Sequence, residues 1–138
     1  MEDITVPKPV LLSIVTVVYN DVRSIGKTIE SILYQTYRNV EYIIIDGGSS
    51  DGTLDVIKKY DSTNLKWISE KDNGIYDAMN KATAMATGEW ICFINSGDTF
   101  VDNNILQKVV GELTQVGKID ILYGNIIVEK GSQLTERK

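Results

Sequence analysis

Residues 11–19 read LLSIVTVVY. Five of the nine are β-branched and only Ser13, Thr16 and Tyr19 carry a polar side-chain atom. That composition predicts a strand buried on both faces, because a strand with one wet face would alternate apolar and polar. Such a strand needs cover above and below. Downstream, Ile25, Ile29, Ile32 and Leu33 recur at helical spacing behind Asp21, a candidate cap. Residues 40–45 (VEYIII) repeat the strand signature and end in Asp46-Gly47-Gly48. Ser49 or Ser50 is then placed to cap a short helix carrying Leu54, Ile57 and Tyr60. Residues 65–69 (LKWIS) read as a third strand.

Past the Asp72-Asn73-Gly74 turn, Ile75, Met79, Ala82 and Ala86 predict a long helix with a narrow apolar stripe, stopped by Gly88. Residues 90–94 (WICFI) are a fourth strand, with Trp67, Trp90, Cys92 and Phe93 read as packing residues. A further helix uses Ile105, Leu106, Val109, Val110 and Leu113 behind Asp102. Residues 119–123 and 126–128 read as a last strand or hairpin, and 131–138 as a polar tail. Strands alternating with helices imply α/β architecture: a mostly parallel sheet with helices on both faces. The chain is expected to form a single domain over residues 1–138.

Composition narrows the function. A length of 138 residues with 43% hydrophobic and 24% charged side chains is that of one globular domain, not a disordered segment. No apolar run reaches the roughly 18 residues that would span a bilayer, and the N-terminus lacks an export signal. The single Cys92 leaves no intramolecular disulfide and fits a reducing compartment. A net charge of -5 argues against nucleic acid or an anionic membrane as partner. There is no histidine, which excludes Ser/His/Asp and Cys/His catalysis and any zinc site built on imidazole. If this acidic chain binds a phosphorylated ligand, the positive charge must come from helix N-termini or a divalent cation.

In parallel sheets ligands sit beyond the carboxyl ends of the strands. The segments there are Asn20-Asp21, residues 46–52, residues 70–74 and residues 95–98. All four are short and rich in acids or amides. Packing them on one edge costs repulsion that a cation or a donor-rich ligand would offset.

These segments, in this order, resemble family 2 glycosyltransferases. The likeness is carried by residues 14–20 (IVTVVYN), 45–53 (IDGGSSDGT), 72–81 (DNGIYDAMNK) and 93–98 (FINSGD). It implies a GT-A fold, three layers α/β/α, here C-terminally truncated as the donor-binding part of a longer transferase. It further implies a UDP- or GDP-sugar donor, Mg²⁺ or Mn²⁺, and transfer with inversion to a glycan or lipid-linked acceptor. Among such enzymes the chain is most similar to those of bacterial surface polysaccharide synthesis. That suggests the cytoplasm, at or near the inner face of the membrane.

Residue by residue, the resemblance puts Asp46 and Gly47 against the nucleoside, with a turn acid accepting its own loop's amides as the lesser alternative for Asp46. Asn20 is expected near the base or ribose, while Asp21 reads better as a cap. Asn73 and Gly74 open a helix whose free N–H groups face a phosphate; Asp77 and Asn80 lie on one face of it, toward the donor. Asp98 is the expected metal ligand. Family members carry several acids there, whereas this chain has Asn95-Ser96-Gly97-Asp98, so an amide and a glycine replace two carboxylates. No acid after Asp98 sits in a motif that marks a catalytic base. A non-catalytic nucleotide-sugar-binding module is the alternative. A dinucleotide oxidoreductase is not, because Tyr19-Asn20-Asp21-Val22-Arg23 lacks the glycine turn that reading requires.

Overall fold

The computed structural model describes residues 8–60 and 62–137. They contain β1 (Leu12–Val18), α1 (Ile25–Leu33), β2 (Val40–Asp46), α2 (Thr53–Ile57), β3 (Leu65–Ser69), α3 (Ile75–Met85), β4 (Trp90–Phe93), α4 (Ile105–Gln115), β5 (Ile126–Lys130) and β6 (Gln133–Arg137). The chain divides into two compact units, residues 1–108 and 109–138.

In the first unit β1 to β4 form one parallel sheet in the order β3-β2-β1-β4. Chain order runs outward from β1 through β3, then jumps back to the other side of β1. Right-handed crossovers therefore place α1 and α2 on one face and α3 on the other. Every residue of β1 is buried, as its composition requires. Val15 and Val17 meet Ile43 and Ile45 of β2 and, from α3, Ala78 and Ala82. The opposite helix α1 buries Ile25, Ile29 and Ile32, each contributing about 1.5–3 kcal/mol of transfer free energy. The small alanines of α3 let that helix lie close to the sheet, with Met79 and Met85 packed beside them.

Several local expectations change. The stripe of α3 is centred on Ala78 and Ala82, and Ile75 is 49% exposed because it sits over the open end of the sheet. Gly88 does not stop α3. The helix ends at Ala86, whose ψ of 134° is extended, and Gly88 is needed for space: a Cβ there would lie 2.5 Å from the Ser13 hydroxyl and 2.7 Å from the Ser13 nitrogen. The N-cap of α1 is Ser24, and Asp21 supports the helix start through its backbone carbonyl, not its carboxylate. The cap of α2 is Gly52, at φ 99°, supported by Asp51 and not by Ser49 or Ser50. Trp67 and Phe93 are each 39% exposed, so neither is a core residue, because β3 and β4 are the edges of the sheet. Cys92 is only partly buried.

In the second unit β5 and β6 pair antiparallel around Gly131, which has φ 64°. Residues 133–137, read as tail, are thus a strand, while 119–123 form none. No helix among the described residues is long and apolar enough to cross a membrane.

Candidate functional site

Reversal of strand order at β1 opens a crevice at the sheet's carboxyl end. Val17, Val18 and Tyr19 form one wall of a cleft of about 240 Å³, and Asp72, Gly74, Ile75 and Ala78 form the other. The apolar floor belongs to β1 and α3, and the polar rim to the strand-end loops.

The loops after β1 and β2 are laced together. Asn20 adopts φ 49°, a left-handed conformation that a short amide side chain tolerates. Its backbone N–H donates to the Ser49 hydroxyl at 2.7 Å, while its side-chain oxygen accepts from the Ser50 amide at 2.8 Å. The Asp21 amide donates to Thr53 Oγ1, and the Val22 amide to the Asp51 carboxylate. Asp51 also accepts from the Thr53 amide and hydroxyl, and with the Thr53 hydroxyl the foremost cause, its carboxyl is held below its ordinary pKa.

Asp46 is fully buried. One carboxylate oxygen accepts from the Ser49 hydroxyl; the other accepts from the Ser49 amide at 3.0 Å and the Ser69 hydroxyl at 2.6 Å. Its oxygens face into the loop, so in this structure Asp46 organises the β2 turn. The backbone of Gly47 is tied to Val18, and the space beside its Cα is filled by Asp72. One Asp72 oxygen accepts from the Gly74 amide, and the other lies 2.7 Å from where a Cβ at position 47 would begin. Asp72 is a carboxylate of the cleft that sequence reasoning overlooked. Its signal was hidden because Asp-Asn-Gly reads first as a turn.

Gly74, at φ 106°, is the N-cap of α3, but the Asn73 and Gly74 amides do not stand free for a phosphate. Asn73 donates to Asp77 at 2.9 Å and Gly74 to Asp72. Asp77 also pairs with Lys81 at 3.5 Å, and Lys81 reaches Glu70 at 2.9 Å. The Asn73 amide, with help from Lys81, holds the Asp77 carboxyl below its ordinary pKa. Asp77 and Lys81 therefore shape the start of α3 and tie the loop after β3 to it. Asn80 is exposed on the same helix.

The loop after β4 is tied to the loop after β1. Ser96 donates its hydroxyl to Asp21 at 2.7 Å, which gives the Asp21 side chain a bridging task. Gly97 takes φ 97° and Asp98 turns back so that its amide bonds the Asn95 carbonyl at 2.9 Å. Asp98 is exposed, and the Asn95 side-chain oxygen is buried without a hydrogen-bond partner. Among the described residues no cluster of three acids, cysteines or histidines stands ready for a metal. Where the cation was expected, this loop offers one exposed carboxylate and one orphaned amide oxygen. Such a pair fits a hard cation only when a ligand supplies further oxygens.

The family model of glycosyl transferase family 2 matches residues 13–138. The chain belongs to that family. It is 35% identical over 128 residues to the Escherichia coli UDP-Glc:alpha-D-GlcNAc-diphosphoundecaprenol beta-1,3-glucosyltransferase WfaP, an alignment covering 91% of this chain and 49% of that protein. The family 2 chain thus spans about half the length of that relative. Among solved structures, S. aureus TarS in complex with UDP superposes with a TM-score of 0.70 at 25% identity, covering 76% of this chain and 32% of that one. A Pyrobaculum calidifontis mannosyltransferase, in complex with GDP-Man and Mn²⁺, superposes equally well (TM-score 0.70) at 19% identity, covering 81% and 34%. Both share the α/β fold of this family 2 member, including the parallel sheet that carries the crevice.

Proposed function

We propose that this chain binds the nucleotide-sugar donor of a metal-dependent, inverting glycosyltransferase acting on a glycan or lipid-linked acceptor in the cytoplasm. The observation that carries the reading is the cleft between the end of β1 and the start of α3, at the switch point of a family 2 fold. Its apolar walls suit the flat face of a base. The Asp72 carboxylate at its rim suits a base N–H or a ribose hydroxyl, while Asn20, Gly47 and Ser49 hold the adjoining turn in shape. Asn80, on the exposed side of α3, extends this reading toward the sugar.

The diphosphate would lie across the crevice toward Asp98 and Asn95, whose oxygens would hold Mg²⁺ or Mn²⁺ together with the phosphate oxygens. A bound divalent ion would neutralise the departing nucleoside diphosphate. The chain's own residues keep Asp98 in place, exclude water from the apolar floor and orient the nucleoside. The UDP complex of TarS and the GDP-Man and Mn²⁺ complex of the mannosyltransferase support this reading by sharing its fold.

Calorimetric titration of the 138-residue chain with UDP, GDP and ADP, with and without Mn²⁺, tests it. Binding of UDP or GDP, tightened by Mn²⁺ by about 5–150-fold, is expected if the coupling is of ordinary size. No heat with any nucleotide, or the same affinity for all three without a metal effect, would sink the reading.

A further inference from the structure

A polar stripe on α1 and just past it is turned inward, which is unusual for side chains that gain nothing from leaving water unless they are bonded. Thr28 is completely buried, Ser31 is half-buried, and Gln35, just past the helix, is 1% exposed. All three reach the segment that follows β4. The Thr28 hydroxyl accepts from the Gly97 amide at 3.1 Å and donates to the Asp98 carbonyl at 2.9 Å. The Ser31 hydroxyl receives the Phe100 amide at 3.4 Å. The Gln35 amide donates to the Asp102 carbonyl at 2.7 Å and accepts from the Leu106 amide at 3.0 Å.

Thr28 is the member that grips the site itself. Its single hydroxyl is both donor and acceptor to two consecutive residues, one of them the left-handed Gly97. Glycine at φ 97° is conformationally permissive, and inside the loop only the bond from the Asp98 amide to the Asn95 carbonyl holds it. The bond to the Asp98 carbonyl fixes the Asp98 backbone, and with it the direction in which its carboxylate leaves the chain. The loop's further tethers flank this pair: Ser96 bonds Asp21 through its hydroxyl and Val17 through its amide, and Phe100 bonds Ser31.

We propose that Thr28 is the positioning residue for Asp98: its hydroxyl holds Gly97 and Asp98 in the one backbone arrangement that presents the carboxylate to the diphosphate-bound cation. The proposal rests on the metal reading above. Sites work only when their groups are held within about 0.5 Å of the productive geometry, and a hinge-like glycine beside the ligand residue needs such a clamp.

The test compares wild type, Thr28→Val and Thr28→Ser by calorimetric titration with UDP and GDP, with and without Mn²⁺. Amide hydrogen exchange over residues 94–101 is read alongside. Valine keeps the shape and removes the hydroxyl. In Thr28→Val, Mn²⁺ should lose most of its enhancement of nucleotide affinity, while metal-free affinity stays within about twofold. The Gly97 amide should lose its protection, and Thr28→Ser should restore both. If wild type shows nucleotide binding but no Mn²⁺ enhancement, the metal reading falls and this proposal with it. If wild type is enhanced and Thr28→Val is enhanced equally, the proposal alone is overturned. Should Thr28→Val fail to fold, Thr28→Ala takes its place; if that variant is also unfolded, Thr28 is a folding residue and the positioning role is refuted.

Discussion

Glu41 lies near the amino end of the sheet, far along β2 from the cleft, yet it joins three elements. Its carboxylate accepts from the Ser13 hydroxyl at 2.5 Å, from the Thr87 amide and from the Gly88 amide at 3.0 Å. Burial by itself would raise its pKa, but the Ser13 hydroxyl and the two amides outweigh it and hold the carboxyl below its ordinary 4.5. A carboxylate whose pKa is depressed on folding stabilises the fold above the unfolded pKa, and that stability is lost as pH falls through the folded value. Stability should therefore drop as pH falls below about 4.5. Glu41→Gln should flatten that part of the profile, measured by urea melts from pH 3 to 7; an unchanged slope would refute the assignment. At Gly88 the prediction is steric. Gly88→Ala places a Cβ 2.9 Å from the Leu11 carbonyl as well as against Ser13, so it should cost about 2–3 kcal/mol. Asp46→Asn should destabilise by about 2–4 kcal/mol, because three donors from Ser49 and Ser69 lose a buried charge. A melt unchanged within 0.5 kcal/mol would return Asp46 to a purely ligand-binding role.

Strands β1 and β2 were legible because apolar β-branched runs such as VTVV and YIII call for burial on both faces, whereas β3 and β4 were read from shorter, mixed runs. Helix α1 was equally plain from Ile25, Ile29 and Ile32, and Ile29→Ala should cost about 2–5 kcal/mol in a denaturant melt, as full burial dictates. What eluded the sequence was the partner of each polar group. Ser49 looked like a cap and is instead a bridge from Asp46 to Asn20. The Asp21 side chain looked like a cap and instead receives Ser96 from the loop after β4, 75 residues away in sequence. Asn73 and Gly74 looked like open phosphate donors, but nearby carboxylates had already claimed their amides. Helix α3 was found at the right place and largely with the right face: Met79, Ala82 and Ala86 pack toward the core as read, while Ile75 is exposed and Ala78 is buried in its stead. Spacing reports which face is apolar, while hydrogen-bond partners depend on which loops the topology brings together.

At the scale of the molecule, the strand-end loops concentrate Asp21, Asp46, Asp51, Asp72 and Asp98 in a chain of net charge -5. A nucleoside diphosphate adds more negative charge to that edge. Its binding should therefore depend on the cation more steeply than on any side chain except Asp98. Bound nucleotide at about 100 times its Kd should stabilise the fold by about 2.7 kcal/mol. In a thermal melt UDP or GDP with Mn²⁺ should thus raise the Tm by several degrees, and EDTA should abolish most of that rise. A rise that EDTA leaves intact would remove Asp98 from the metal shell.

The two edges of the sheet are not alike. On β3 the outermost strand carries Lys66, and Lys58 sits 5.9 Å from the Trp67 ring, so cations stand along that border. On β4 the sequence Trp90-Ile91-Cys92-Phe93 is uncharged, with Ile91 38% exposed and its outer backbone groups unpaired among the described residues. An undefended border of that kind is a template for another strand. The preparation's shelf behaviour follows from it. Turbidity and apparent size should climb with protein concentration, Ile91→Lys should suppress the climb, and a lysine added to β3 should not.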